Sequence, residues 1–305
     1  MITLTSMRKL DLTEPSAIGR PLHLSAASGL VCLDSKIYVV ADDEFHLGVF
    51  STADKQPGHL IRLFDGALPN SRAARKRRKP DLESLVLFPA FGDFRHGVLL
   101  ALGSGSTPGR RRGVLLGLDP HGAVVGPPRS VDLSFLLAPL GERFAEPNIE
   151  GAVISGTELR LFQRGNRRHA GNAIVRFDLS AVIDALEAGR VGLISPSAVD
   201  MLDFGQIDGI PLCFTDAAAL PDGAMVFSAV AEDTEDTFND GPCVGAAIGI
   251  ADSHGRLLSL HRLDRPYKVE GIDARLKGGL LEMLLVTDAD DLAVPATLFS
   301  ASMTR

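Results

Sequence analysis

Five short, similar stretches constrain this chain more than any other feature. Each pairs a lead residue with small or apolar followers: Ser28-Gly29-Leu30, Glu83-Ser84-Leu85, Glu150-Gly151-Ala152, Asp216-Ala217-Ala218 and Glu270-Gly271-Ile272. Lead positions recur every 54 to 67 residues, and four of the five are carboxylic acids. A β-rich run follows each one, nine residues on at Ile37–Val40, Leu159–Phe162 and Met225–Phe227, and later at Val98–Leu100 and Met283–Val286. A period of this size made of short strands and turns is the signature of propeller blades.

The strands expected from this pattern are 28–33, 36–41, 47–51 and 59–64 in blade one, and 83–88, 97–102, 113–118 and 122–126 in blade two. Blade three takes 150–154, 158–163, 172–178 and 198–203, and blade four takes 215–220, 224–230, 244–251 and 256–262. Blade five has 269–274, 281–287 and 295–302, and lacks an outer strand downstream. A second repeat supplies it. Outer strands end in an apolar residue followed by Asp, at Phe64-Asp65, Leu202-Asp203 and Leu263-Asp264, with Val131-Asp132 displaced beyond the strand expected in blade two, and the N-terminal stretch ends in Leu10-Asp11. Residues 3–11 are therefore expected to close the ring as the fourth strand of blade five, which removes an open edge. The fold class is all-β, a five-bladed propeller over residues 1–305 as one domain, with six blades as the alternative.

Two insertions stand out. Ser180 to Gly189 carries an N-cap residue, helically spaced apolar residues and a terminal Gly, and reads as a short helix. Arg72–Lys79, a block of basic residues, reads as a solvated loop. A net charge of −7, no Trp and two Tyr disfavour nucleic acid as a partner. Three widely spaced Cys read as buried free thiols. No apolar run is long enough for a membrane span and no signal-like segment begins the chain, so a cytoplasmic protein is expected.

The motifs Ser28-Gly-Leu, Ile37-Tyr-Val-Val-Ala-Asp-Asp, Asp81-Leu-Glu-Ser-Leu, Ile149-Glu-Gly-Ala and Val269-Glu-Gly-Ile-Asp-Ala resemble the esterase-like phytase family of β-propellers. More distantly they are similar to the regucalcin, gluconolactonase and strictosidine-synthase propellers. That resemblance implies a divalent metal at the channel mouth, calcium before magnesium, held by Glu83, Glu150 and Glu270 with Asp216 as a shorter fourth ligand. The lactonase relatives also use Asn there, and no lead position here is Asn.

The residues support a related reading. Lead acids, the ends of second strands and the loops between them share one face of a propeller. Asp42, Arg164, Arg168 and Arg111 would then join the lead acids, as substrate-binding groups. Crowded carboxylates require protonation, basic partners or a cation. A hard cation suits oxygen ligands. The expected function is a metal-dependent hydrolase of a small phosphorylated or carboxylated ester, with Glu150 and Arg164 catalytic and a small anionic substrate as ligand. The alternative is a non-catalytic propeller that binds a ligand or a protein partner, its lead acids tied to backbone N–H groups.

Overall fold

The computed structural model describes residues 1–189, 192–235 and 241–304. Five antiparallel sheets form a ring, a five-bladed β-propeller. The innermost strands are Ala27–Leu33, Leu82–Phe88, Ile149–Ser155, Ile210–Ala219 and Val269–Lys277, each packed against the next and the last against the first.

Alternation along the strands explains why the sheets stack around an axis. In Val98–Gly103, Leu99 and Ala101 pack toward blade one, while Val98, Leu100 and Leu102 pack toward blade three. A strand with both faces buried needs a continuous apolar run, because successive side chains point to opposite faces. Each of the five seams between blades carries its own apolar core.

Thr5–Lys9 pairs with Thr297–Thr304, in the register Thr5↔Ser300 to Lys9↔Thr297, and supplies the outer strand of blade five. Upstream, the Ile2 N–H donates to Arg262 O at 2.9 Å, so the same segment also ties to blade four.

Several elements differ from expectation. The outer strand of blade two is Arg129–Asp132, not 122–126. Asp119 closes a turn there, accepting from the His121 and Ala123 N–H groups at 2.8 Å each. Pro127 and Pro128 follow and have no N–H to give a ladder. The Val131-Asp132 signature thus marks the true end of the strand.

The inserted helix, Leu179–Ala188, is capped by Asp178, whose Oδ1 accepts from Ala181 N at 2.9 Å, not by Ser180. Blade four gains a short strand, Gln206–Ile207. The basic block is a helix, Arg72–Arg78 (called α1 below), not a solvated loop. Its Arg75 turns inward to Glu44 and Asp43, acids far away in sequence that neutralise it. The acidic stretch 232–240, which reads in sequence as a surface loop of blade four, lies outside the described residues from 236 on. Cys32, Cys213 and Cys243 are free thiols. Among the described residues, no helix is long and apolar enough to cross a membrane.

Removal of residues 1–12 exposes the edge of blade five and deletes four buried apolar side chains, Ile2, Leu4, Leu10 and Leu12. At about 1.5–3 kcal/mol each, the loss is comparable to the whole stability of a typical domain. The truncated protein is expected to aggregate or melt far below the full chain. An unchanged melting curve would contradict this closure.

Candidate functional site

A β-bulge in every inner strand, near its start in four blades and midway along it in blade four, shapes the site. The register slips between Ala27 and Leu30, Leu82 and Ser84, Ile149 and Gly151, Phe214 and Asp216, and Val269 and Gly271. The residue left out of the ladder is re-aimed, as bulges do beside functional sites. It is Glu83 in blade two, Glu150 in blade three, Thr215 in blade four and Glu270 in blade five. In blade one, Ser28 and Gly29 are both skipped.

The Gly that follows has a steric reason. A Cβ on Gly151 would meet Asp216 Oδ1 at 2.9 Å, and one on Gly271 would meet Ser28 O at 2.7 Å. Neighbouring inner strands run too close there for a side chain.

Ser28, Glu83, Glu150 and Glu270 line one cavity of about 580 Å³. Arg75, Lys76 and Lys79 from the α1 region, Arg110 and Arg164 line it too, so the basic segments open on the same face as these acids. Ten acidic and seven basic side chains line it among the described residues. That excess of acid leaves some carboxyls to hold a proton or take up a cation.

The charges divide into three groups. In the first, single oxygens of Asp42, Asp81 and Glu83 lie within 4.8 Å of one another. The Lys79 ammonium lies 2.9 Å from Asp81 Oδ1 and contacts Asp42 Oδ2. Ser104 Oγ donates to Asp81 Oδ2 at 2.6 Å, and Arg110 Nη1 approaches the same oxygen at 2.9 Å. Asp81 reaches this position through a left-handed backbone (φ +57°), which Asp tolerates better than most residues. Glu83 makes no hydrogen bond or ion pair among the described residues. Burial, then Glu150, Asp81 and Asp42, push its carboxyl well above the ordinary range, against Lys79.

The second group centres on Arg164. Its guanidinium meets Glu150 Oε2 at 3.3 Å, Glu270 Oε2 at 3.7 Å, and Glu232. Lys268 lies 3.6 Å from Glu232, 3.7 Å from Glu270 and 2.7 Å from Asp290. Asn148 Nδ2 donates to Glu150 Oε1 at 2.5 Å, so both Glu150 oxygens are engaged. Burial raises the Glu150 carboxyl, with Arg164 opposing. Burial also raises Glu270 to about 8, despite Arg164 and Lys268, with Glu150 and Glu232 adding to the rise.

The third group is the rim. Arg20 pairs with Asp43 at 2.6 Å and Glu44 at 2.7 Å. Burial works against ionised Glu44, but His46, Arg20, Ser16 and Arg75 hold its carboxyl down at about 2.

Sequence reasoning located part of this site. Glu83, Glu150, Glu270, Asp42 and Arg164 line the cavity. Asp216 does not: Thr215 occupies the bulge, and Asp216 Oδ2 accepts from Ile272 N of the next blade at 3.0 Å. It is a tie between blades. Arg111 leaves its place to Arg110, which lines the cavity. Arg168 is an exposed residue 3.9 Å from Glu235.

Lys79, Asp81, Arg110, Glu232 and Lys268 were not singled out as site residues. Three of these could have been found. Strand side chains repeat every second residue, so the position two before a lead can face the mouth as well, although in blade four it is the core residue Phe214. That rule picks out Asp81, Asn148 and Lys268, all of which line the cavity. Arg110 needed only the correct phase in the Arg110-Arg111-Arg112 run.

Fold and site together define a five-bladed propeller with a charge-lined pocket at one mouth of its channel. The chain belongs to the family of unknown function DUF6929, whose model matches residues 23–303. No curated protein matches it. Among solved structures it is similar to a luciferin-regenerating enzyme, at 12% identity over 92% of each chain with a TM-score of 0.46. It is also similar to a candidate glycoside hydrolase from Parabacteroides distasonis, at 13% identity over 98% of this chain and 96% of that one, with a TM-score of 0.44. Likenesses this remote say nothing of what this chain binds or does.

The raised Glu270 has a consequence for stability. Folded protein keeps its proton up to about pH 8, while the unfolded chain releases it near the ordinary 4.5. Within that window the native state binds the extra proton, so stability falls as pH rises. Glu83 and Asp288, also pushed up by burial, act in the same direction. Urea midpoints should therefore drop between about pH 5 and about pH 8. Glu270→Gln, neutral throughout, should flatten the drop and exceed wild type in stability at the upper end. Parallel profiles for the two proteins would refute the assignment.

Proposed function

We propose that the protein is a hydrolase working at this mouth on a small ester, assisted by a divalent cation. One observation carries the reading: single carboxylate oxygens of Asp42, Asp81 and Glu83 lie within 4.8 Å of one another in the cavity, and Glu83 makes no hydrogen bond or ion pair among the described residues. The donor set is all carboxylate oxygen, which suits Ca²⁺ or Mg²⁺. This trio replaces the ring of Glu83, Glu150, Asp216 and Glu270 as the cation ligands, since Arg164 and Lys268 already engage Glu150 and Glu270. The motif resemblance to esterase-like phytase propellers agrees with such a site without naming its substrate.

A bound cation would supply Lewis-acid polarisation of the ester oxygen. The chain's own residues do the rest. Arg164 and Asn148 hold the Glu150 carboxylate from both sides, and burial raises its basicity, so Glu150 is the group that takes a proton from the attacking water. Arg164 orients Glu150. It is engaged with three acids, so it is not the main receptor for a substrate anion. A bound cation would take that role for an anionic group of the substrate, and a small anionic ligand remains the expected one.

A second reading is favoured by the closed network of Glu150, Glu232 and Glu270 around Arg164 and Lys268, which suits a binding propeller without turnover. Chelator-treated protein assayed with p-nitrophenyl phosphate and a panel of carboxylate esters separates the two. Under the hydrolase reading, calcium or magnesium restores turnover and raises the melting temperature. Glu83→Gln weakens the thermal response, and Glu150→Gln lowers kcat by about 10²-fold or more, the usual contribution of a general base. Cation binding with no turnover on any ester would identify a binding propeller.

A further inference from the structure

Lys79 reaches the carboxylate trio from the end of α1. Its ammonium is within ion-pair distance of two of the three acids, Asp42 and Asp81, and its side chain is only 10% exposed. It is therefore not a surface lysine that happens to lie nearby. Its backbone is anchored: Lys79 N donates to Arg75 O at 2.8 Å, Arg75 pairs with Glu44, and Lys76 O accepts from Arg110 Nη2 at 3.1 Å. The head group is a different matter. An ammonium on a flexible four-carbon stem is a movable point charge, unlike the fixed fork of an arginine. Arg110 is such a fork here, held by Asp81, Ser106 and Lys76 O at once.

An ammonium and a divalent ion cannot both occupy this point. At ion-pair separation, two like charges repel by several times the thermal energy, even with substantial screening. We propose that Lys79 is a tethered counter-ion: its ammonium satisfies Asp42 and Asp81 until a divalent cation displaces it. The inference rests on the cation reading above and says how that site is regulated. Lys79 sets the threshold cation concentration for loading. It also couples loading to substrate recognition. Displacement frees an ammonium inside a cavity where Arg110, Arg164 and Lys268 remain engaged with carboxylates. That freed charge is placed to receive the anionic part of an ester.

The test is calorimetric titration of Ca²⁺ into chelator-treated full-length protein, with no turnover required. Wild type is compared with Lys79→Met, which keeps the stem and removes the charge, and with Lys79→Arg, which keeps a charge. Lys79→Gln substitutes for the methionine variant if that one does not fold. Removal of the competitor should tighten Ca²⁺ binding about tenfold or more, a gain of about 1.4 kcal/mol. The arginine variant should bind no more tightly than wild type. Without calcium the methionine variant should melt below wild type, because Asp42 loses its ammonium partner and Asp81 one of its partners, and saturating calcium should close that gap. Binding by the neutral variant alone, with wild type silent, would also support the proposal. Equal or weaker binding by the neutral variants, with wild type binding, overturns it and leaves the cation reading intact. Absence of binding in all of them overturns both.

Discussion

The close approach of the inner strands is the constraint from which the rest follows. Where Gly151 passes Asp216 and Gly271 passes Ser28, there is no room for a Cβ. Strands that come so near can carry a large polar residue only at a bulge, which turns that residue out of the ladder and toward the channel. The bulges recur at the same point in every blade. Large acids at three of them are therefore delivered to one mouth, Glu83, Glu150 and Glu270. The functional face is thus a direct product of how the blades pack.

Crowding the acids creates an electrostatic cost that the chain meets in two ways. Around Arg164 and Lys268, buried ion pairs and protonation offset it; Glu270 stays protonated to about pH 8. Around Glu83 no bonded partner is supplied among the described residues, and Lys79 opposes its acidic neighbours. Buried ion pairs are weak contributors to stability but costly to break. The Arg164 network is accordingly a rigid floor and the Asp42–Asp81–Glu83 trio the adaptable part. On the proposed reading, this contrast in charge compensation, more than the number of acids, marks the trio as the cation site.

Much of the fold was legible because propeller blades obey short-range rules. Alternating apolar strands, the apolar-Asp endings and the Leu10-Asp11 signature led to five blades closed by the N-terminal strand, as found. The site was legible only to within a residue. In blade four the bulge falls on Thr215, and a one-residue slip turns Asp216 from the mouth to the adjacent blade. The same phase ambiguity put Arg111 where Arg110 belongs. The basic helix was misread for a different reason. Its inward Arg75 is neutralised by Asp43 and Glu44, and such long-range pairing leaves no local trace in sequence.

The central claim is that the trio of Asp42, Asp81 and Glu83, and no other group at the mouth, takes a divalent cation. Anomalous diffraction from crystals soaked in manganese tests it most directly, since Mn²⁺ accepts the same oxygen ligands. The account predicts a peak bounded by carboxylate oxygens of these three residues, with the Lys79 ammonium moved away from Asp42. A peak among Glu150, Glu232 and Glu270, or no peak with Lys79 still paired to Asp42 and Asp81, would contradict it.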